Sequence, residues 1–515
     1  MADQRAETKS ISIDQQNVDW DLISSQIKPK KNKYAFGCAL LASLASVLLG
    51  YYFGAMSGAV IYLKQDFGIS QLKVDIVLGI FNFCSLLGSL AGGQICDWIG
   101  RRFTIAFSGI LFLAGALLMA CAPGYGFLTI GNLACSSGVG FAFMIAPVYT
   151  AEVAPASFRG FLATFPEIFM NVGLLLGYIL AYGFSKFPLG IGWRLMLGAG
   201  GVPSICLIAG ILAMPESPRW LVMQGRIAEA KLVLDKTSDS KEESQLRLAD
   251  IIEAAGQTNT NVTDDKSTKS SGPWEELFLN PSTSICHILL AAVGINFFRQ
   301  ASGVDVTLLY GPKIFEQAGI SPDNKLLATI GLGVVKLLFV LVATCLLDRT
   351  GRRPLLLSSA VGMILSLLGL AAGLTLIENS QEKLVWAIGL SVTTLLCNTA
   401  FFSIGLGPIT WVYTSEIFPL RLRGVGASIA VAVNRLTSGI VVLTFSSLSE
   451  AITIGGAFFL YSGLAMVAWV FFYIMLPETK GKTLEEMQGL FGGFFVWRPS
   501  LSSKPEKQKQ AEDQI

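Results

Sequence analysis

The segment VYTAEVAPASFRG, Val148 to Gly160, returns as VYTSEIFPLRLRG, Val412 to Gly424, with Tyr, Thr, Glu, Pro, Arg and Gly in register. DWIGRR from Asp97 is matched by DRTGRR from Asp348, and PES from Pro215 by PET from Pro477. Three motifs in one order at nearly one separation mark a duplicated architecture. The separation is far too long for a solenoid, whose units run to about 20–50 residues. It suits two membrane halves related by an axis along the membrane normal, a plan that sets a substrate site between them.

Composition agrees with lipid as the solvent. Of 515 residues, 52% are hydrophobic and 14% charged, with a mean hydropathy of +0.58. Soluble chains carry about 25% charged residues. The formal charge is +2 and the basic residues form no single patch, which argues against a nucleic-acid partner. Nine cysteines are scattered without a CxxC pair, so they read as buried spectator thiols rather than a zinc or redox site. His287 has no partner constellation in the sequence, and no catalytic triad or cofactor motif is visible; the chain reads as no enzyme, with no cofactor and no metal. The polar N-terminus to Lys33 lacks the apolar core of a signal peptide.

A bilayer core takes about 20 apolar residues as helix. Such runs lie near Phe36–Met56, Ile76–Cys96, Thr104–Cys121, Phe127–Tyr149, Phe161–Phe184 and Leu195–Met214. A second six lie near Ile285–Leu309, Leu326–Leu347, Pro354–Ile377, Leu384–Tyr413, Gly424–Leu448 and Gly455–Met475. The expected organisation is an N-terminal tail, 1–33; a six-helix half, 34–214; a connector with short helices, 215–283; a second six-helix half, 284–476; and a C-terminal tail, 477–515. KPKKNK, both GRR motifs, Arg159, RLR at Arg421 and the Lys-rich C-terminus fall on one side, which the positive-inside rule makes cytoplasmic, with both termini there. Within the connector, SPRWLVMQGRIAEAKLVL and SKEESQLRLADIIEAA have helical apolar spacing, whereas TNTNVTDDKSTKSSG, 258–272, reads as flexible. The sequon at Asn261 falls on the cytoplasmic side and is expected to carry no glycan.

GGQICDWIGRR, PESPRW, DRTGRRPL, PITWVYTSEIFPLRLRG and LPETKGKTLEEM together resemble the sugar-porter branch of the major facilitator superfamily. SPRWLVMQGR, MIAPVYTAEV and VVLTFSSLSEAITIGGAFF are most similar to the plant polyol and monosaccharide transporters, and the resemblance runs from Lys33 to Phe491. It implies an all-α membrane protein with the major facilitator fold: twelve transmembrane helices in two pseudo-symmetric six-helix halves. It also implies sugar or polyol transport by alternating access, with protons as a co-substrate. Of plasma and vacuolar membrane, the plasma membrane is the expected one.

Two sets of residues follow. Asp97, Arg101, Arg102, Glu152, Arg159 and Glu216, with Asp348, Arg352, Arg353, Glu416, Arg423 and Glu478, form a cytoplasmic charge clasp. The sequence reading has these pairs joining the halves when the cavity faces outward and parting when it opens inward. Exposed pairs of this kind are worth ~0–1 kcal/mol each, so a network of them breaks within a cycle. In the cavity, the resemblance nominates Asn171, Arg299, Gln300, Asp305, Lys336, Ser403, Trp411 and Asn434 as substrate contacts. A polyol needs a donor or acceptor for each hydroxyl once water is stripped away, and amides serve as both. An indole stacks on the C–H face of a sugar.

The sequence departs from the family pattern at the coupling pair. Where proton-coupled members carry an Asp on the first helix, LLGYYFGAM has Tyr52; where they carry an Arg on the fourth, IGNLACSSGVG has Asn132. Losing both avoids a stranded buried charge. Tyrosine, with a reference pKa of about 10, carries protons poorly near neutral pH. Uniport, or symport through Glu167 or Asp305, are the open options. Arg299 replaces the first glutamine of the family's pair, and either reads an anionic or strongly accepting substrate group or pairs internally with Asp305. Two alternatives stay open beside sugar transport: a carrier of an organic acid or specialised metabolite, and a non-transporting membrane sugar sensor.

Overall fold

The computed structural model describes residues 32–155, 162, 164–263, 283–321, 324–380, 384–418 and 422–479, apart from the side chains of 253–263, 348, 415–416 and 423–424. The described chain is helical, with no strand among the described residues. Eleven helical stretches are long and apolar enough to cross a membrane. The last, Arg423–Met475, runs 53 residues and holds two spans, because Ile452 and Thr453 leave helical geometry, Thr453 with φ of 67°. Fifty-three unbroken residues would reach about 80 Å, far beyond a bilayer core of about 30 Å. The described residues therefore hold twelve membrane spans, the number that the resemblance to the major facilitator fold implies.

In order, the first six spans are Lys33–Phe67, Gln71–Ile99, Arg101–Ala120, Tyr125–Val153, Phe165–Phe184 and Leu189–Leu212. The seventh to tenth are Thr283–Leu309, Lys325–Leu347, Arg352–Asn379 and Val385–Thr414. Several are broken where the apolar pattern reads as continuous. The sixth divides into Leu189–Gly198 and Gly201–Leu212, and the tenth at Gly405. The seventh divides into Thr283–Ala301 and Val304–Leu309, with a further short helix Gly311–Gln317. Backbone freed at such breaks is tolerated in a membrane where it lines a cavity or is covered by protein.

Without a hydrophobic drive between helices in lipid, close packing of small residues holds spans together. The first and fifth spans show this directly. A Cβ built on Gly50 would stand 1.8 Å from the Met170 carbonyl oxygen, and one on Gly173 would stand 2.3 Å from that of Val47. Gly54 and Gly177 meet the same opposing backbones, so this pair leaves no room for side chains between them.

The connector folds into three helices, Pro218–Met223, Ile227–Thr237 and Lys241–Thr263, packed through Leu221, Val222, Ala230 and Val233. The last runs through Thr263, so the stretch read as flexible begins as helix and Asn261 sits on it; 264–272 lies outside the described residues. The cysteines also differ from expectation: Cys38, Cys96 and Cys135 are buried, but Cys121, Cys206, Cys286 and Cys345 are exposed on the helix bundle. A thiol is small and apolar enough to face outward from a membrane helix as readily as inward.

The halves meet at the end of the bundle remote from the Gly-Arg-Arg motifs. Asp75, buried near the start of the second span, accepts from Tyr310 Oη at 2.8 Å and from Ser446 Oγ at 3.0 Å. Tyr178 Oη donates to the Leu308 carbonyl at 2.8 Å, tying the fifth span to the seventh. Midway along the bundle, Phe143 of the fourth span stacks edge-on with Trp411 of the tenth, ring centroids 4.8 Å apart.

Candidate substrate cavity

Between these contacts lies a cavity of about 20 Å³, the space of about one water molecule. Gly50 and Met170 supply part of its wall from the first half; Arg299, Gln300, Asp305 and Lys336 supply its polar part from the second. Gln300 Nε2 donates to Asn434 Oδ1 at 3.0 Å, leaving Gln300 Oε1 and Asn434 Nδ2 without partners. Asp305 accepts a short hydrogen bond from Ser438 Oγ. The Arg299 guanidinium lies over the Trp411 ring at 4.7 Å and 5.5 Å from the Phe402 centroid, geometries of cation–π attraction.

Of the nominated residues, Asn171, Ser403, Trp411 and Asn434 do not line this wall, the last two touching it through Arg299 and Gln300. Asn171 and Ser403 are buried but bond back to their own helices, Asn171 Nδ2 to the Glu167 carbonyl and Ser403 Oγ to that of Thr399. The internal pair of Arg299 with Asp305, one of the two readings left open, is not formed. The nearest carboxylate oxygen to Arg299 is Glu167 Oε1, at 4.0 Å, while Asp305 turns to Ser438. Six residues apart, the two side chains would not share a face even on an unbroken helix, and Asp305 lies on the short helix Val304–Leu309 beyond the break, bonded to Ser438. Arg435 was missed by the sequence reading: it is 3% exposed, lines the cavity and lies 4.3 Å over the Phe143 ring. An arginine inside an apolar run was itself the available signal.

The family's coupling positions are joined. Tyr52 stacks on Phe81 with ring centroids 3.8 Å apart, and its hydroxyl donates to Asn132 Oδ1 at 2.7 Å. Asn132 Nδ2 donates in turn to the Val77 carbonyl at 2.8 Å. Both side chains are buried and neutral.

At the motif end, the described charges bind helices of the same half. Arg101 pairs with Asp97 at 3.0 Å and with Glu152 at 3.2 Å. Glu216 Oε1 accepts from the backbone N–H groups of Arg101 at 2.9 Å and Arg102 at 3.1 Å, capping the third span. Glu478 does the same for the ninth, accepting from Arg352 and Arg353 at 3.0 and 2.9 Å. Gly100 and Gly351 share one conformation there, φ 96° and 93° with ψ 164° in both. A Cβ on Gly100 would meet Glu216 Oε2 at 2.5 Å. A carboxylate at a helix N-terminus is favoured by the unpaired N–H groups and the helix dipole. The side chains of Asp348, Glu416 and Arg423, and all of Arg159, lie outside the described residues. Glu216 is pushed above its ordinary value by burial, against the lowering effect of the N–H groups it accepts from.

Residues 38–491 match the family model described as sugar (and other) transporter, and the chain belongs to that family. It is a membrane transporter rather than an enzyme. Polyol transporter 5 of Arabidopsis thaliana is 55% identical over 489 residues, spanning 93% of this chain and 90% of the relative. The fold is similar to that of the proton:xylose symporter XylE bound to 6-bromo-6-deoxy-D-glucose, with TM-score 0.76, 27% identity, and 90% and 100% of the two chains covered. It is similar also to the partially occluded inward-open form of XylE from E. coli, with TM-score 0.74, 25% identity, and 88% and 100% covered.

Proposed function

We propose that this carrier moves a polyhydroxylated sugar or polyol across its membrane by alternating access, binding it between the two halves. The observation that carries this reading is the buried Gln300–Asn434 pair, which keeps one unpartnered acceptor and one unpartnered donor where Gln300 lines the cavity. A hydroxyl donates and accepts at once, so it fits such a pair. Similarity to Polyol transporter 5 and to XylE supports the same substrate range.

The Gly-Arg-Arg end is assigned to the cytoplasm by its positive charge, with both termini on that side and the plasma membrane as the host. The capped third and ninth helices then act as paired cytoplasmic anchors, and the Asp75–Tyr310–Ser446 cluster closes the opposite mouth. With Tyr52 and Asn132 as a neutral pair, transport runs down the substrate gradient without the family's usual proton step. Purified protein in proteoliposomes tests the whole reading. Uptake of labelled sorbitol or glucose, accelerated by the same solute trapped inside, is expected of a carrier. Saturable binding without flux would instead make the protein a sensor.

A further inference from the structure

We infer that the substrate carries a single negative charge on its polyhydroxylated skeleton, the chemistry of a sugar acid such as an aldonate or uronate. This rests on the carrier reading above and narrows its substrate class. Three basic side chains face the cavity: Arg299, Lys336 and Arg435, at 4%, 2% and 3% exposure. Among the described residues the buried acids are Asp75, Glu167 and Asp305. Asp75 belongs to the remote closure, where Tyr310 and Ser446 hold it. Two carboxylates therefore face three cations, and the cavity holds one positive charge in excess.

The geometry leaves those cations available. No hydrogen bond joins the side chain of Arg299, Lys336 or Arg435 to another described residue, and Arg299 Nε and Arg435 Nε are buried without partners. Arg299 is 4.0 Å from Glu167, beyond hydrogen-bond reach, and Asp305 already accepts from Ser438. Aromatic faces at Trp411, Phe402 and Phe143 support the guanidinium planes without using their N–H edges. A charge held at this depth in excess of its counter-ions is costly, and such groups mark ligand sites. A neutral hydroxyl accepts a hydrogen bond but leaves the excess charge. A carboxylate supplies the charge and two oxygens, which a guanidinium or an ammonium takes in strong, short hydrogen bonds. The adjacent Gln300–Asn434 pair remains for the hydroxyls.

D-Gluconate and D-glucitol test this directly, since they share a skeleton and differ in a carboxylate against a hydroxymethyl group at one end. The full chain in proteoliposomes is expected to exchange gluconate, and gluconate is expected to compete at concentrations at least about tenfold lower than glucitol. Arg299→Gln removes the excess charge and should cut gluconate's advantage over glucitol to within about threefold, whatever it does to the absolute affinity of either. Arg299→Lys keeps the charge and should keep the preference for gluconate. Exchange of glucitol with gluconate neither carried nor competing overturns the inference and leaves the carrier reading standing. An unchanged gluconate preference in folded Arg299→Gln also overturns it. Failure of the folded protein to exchange any of gluconate, glucuronate, glucitol or glucose overturns the carrier reading itself.

Discussion

Tyr52 donates its hydroxyl proton to Asn132 Oδ1 at 2.7 Å, so the two positions altered from the family's acid–base pair still touch each other as neutral partners. The contact between the first and fourth spans is kept while the titratable group is gone. Substrate addition should therefore evoke no proton movement, read with a pH electrode on energised vesicles or cells. Alkalinisation evoked by substrate would sink the uncoupled reading, and its loss in Glu167→Gln or Asp305→Asn would locate the replacement site. Tyr52→Asp alone leaves an unpaired carboxyl against the Phe81 ring; any gain of coupling is expected to need Asn132→Arg as well.

Gln300 joins the seventh span to Asn434 and presents a free oxygen beside it. Gln300→Ala is expected to weaken substrate binding by about 1–3 kcal/mol, because a substrate hydroxyl and Asn434 both lose a partner in a dry site. Equilibrium binding on purified protein measures it, and affinity equal to the parent would move the site elsewhere.

Glu216 separates two roles of a cap. Glu216→Ala leaves the first N–H groups of the third span without an acceptor and should lower stability by about 1–3 kcal/mol. Glu216→Gln keeps an acceptor. Burial raises the carboxyl above its ordinary 4.5, so the folded protein holds this proton more tightly than the unfolded chain. The stability it contributes is complete below about pH 4.5 and is lost as pH rises through the raised value. Thermal unfolding in detergent should find the Gln variant gaining on the parent across that window. A Gln variant that loses stability relative to the parent as pH rises contradicts the assignment.

Tyr310 and Ser446 each give Asp75 one hydrogen bond across the seam between halves. Each such bond is worth roughly 1 kcal/mol, about a fivefold change in an equilibrium. Tyr310→Phe with Ser446→Ala should open this end more often. Labelling of a cysteine placed at Phe445, by an impermeant thiol reagent added on that side, should rise by at least about fivefold. Unchanged labelling would show that closure there rests on packing.

The duplicated motifs and twelve apolar runs made the fold legible, because membrane spans announce themselves by length and hydropathy. What the pattern could not show was which helices stand side by side. Arg101, Glu152 and Glu216 lie at one membrane level and read as a clasp that joins the halves when the cavity faces outward; in this conformer, joined at the opposite end, they bind within one half. Arg299 and Asp305 stand six residues apart, a spacing that does not share a helical face, and they turn to Glu167 and Ser438 instead of to each other. Gln300 and Asn434 are nominated by family likeness as substrate contacts, and the structure joins them by a hydrogen bond that no spacing in the sequence displays. Arg435 follows Asn434 directly inside an apolar run, where a buried arginine is legible from the sequence as a costly charge.

A cavity of about 20 Å³ is an order of magnitude below the several hundred cubic ångströms of an ordinary small-molecule site. A six-carbon ligand therefore binds a conformer other than this one, and its apparent dissociation constant is the intrinsic one divided by the fraction of molecules already dilated. Side chains that never meet the ligand then set its potency. Loosening Asp75 from Tyr310 should sharpen apparent affinity for a solute arriving from that end, while the cavity wall stays unchanged. Screens for tighter binding will recover seam variants alongside contact variants, and equilibrium affinity by itself will not tell them apart.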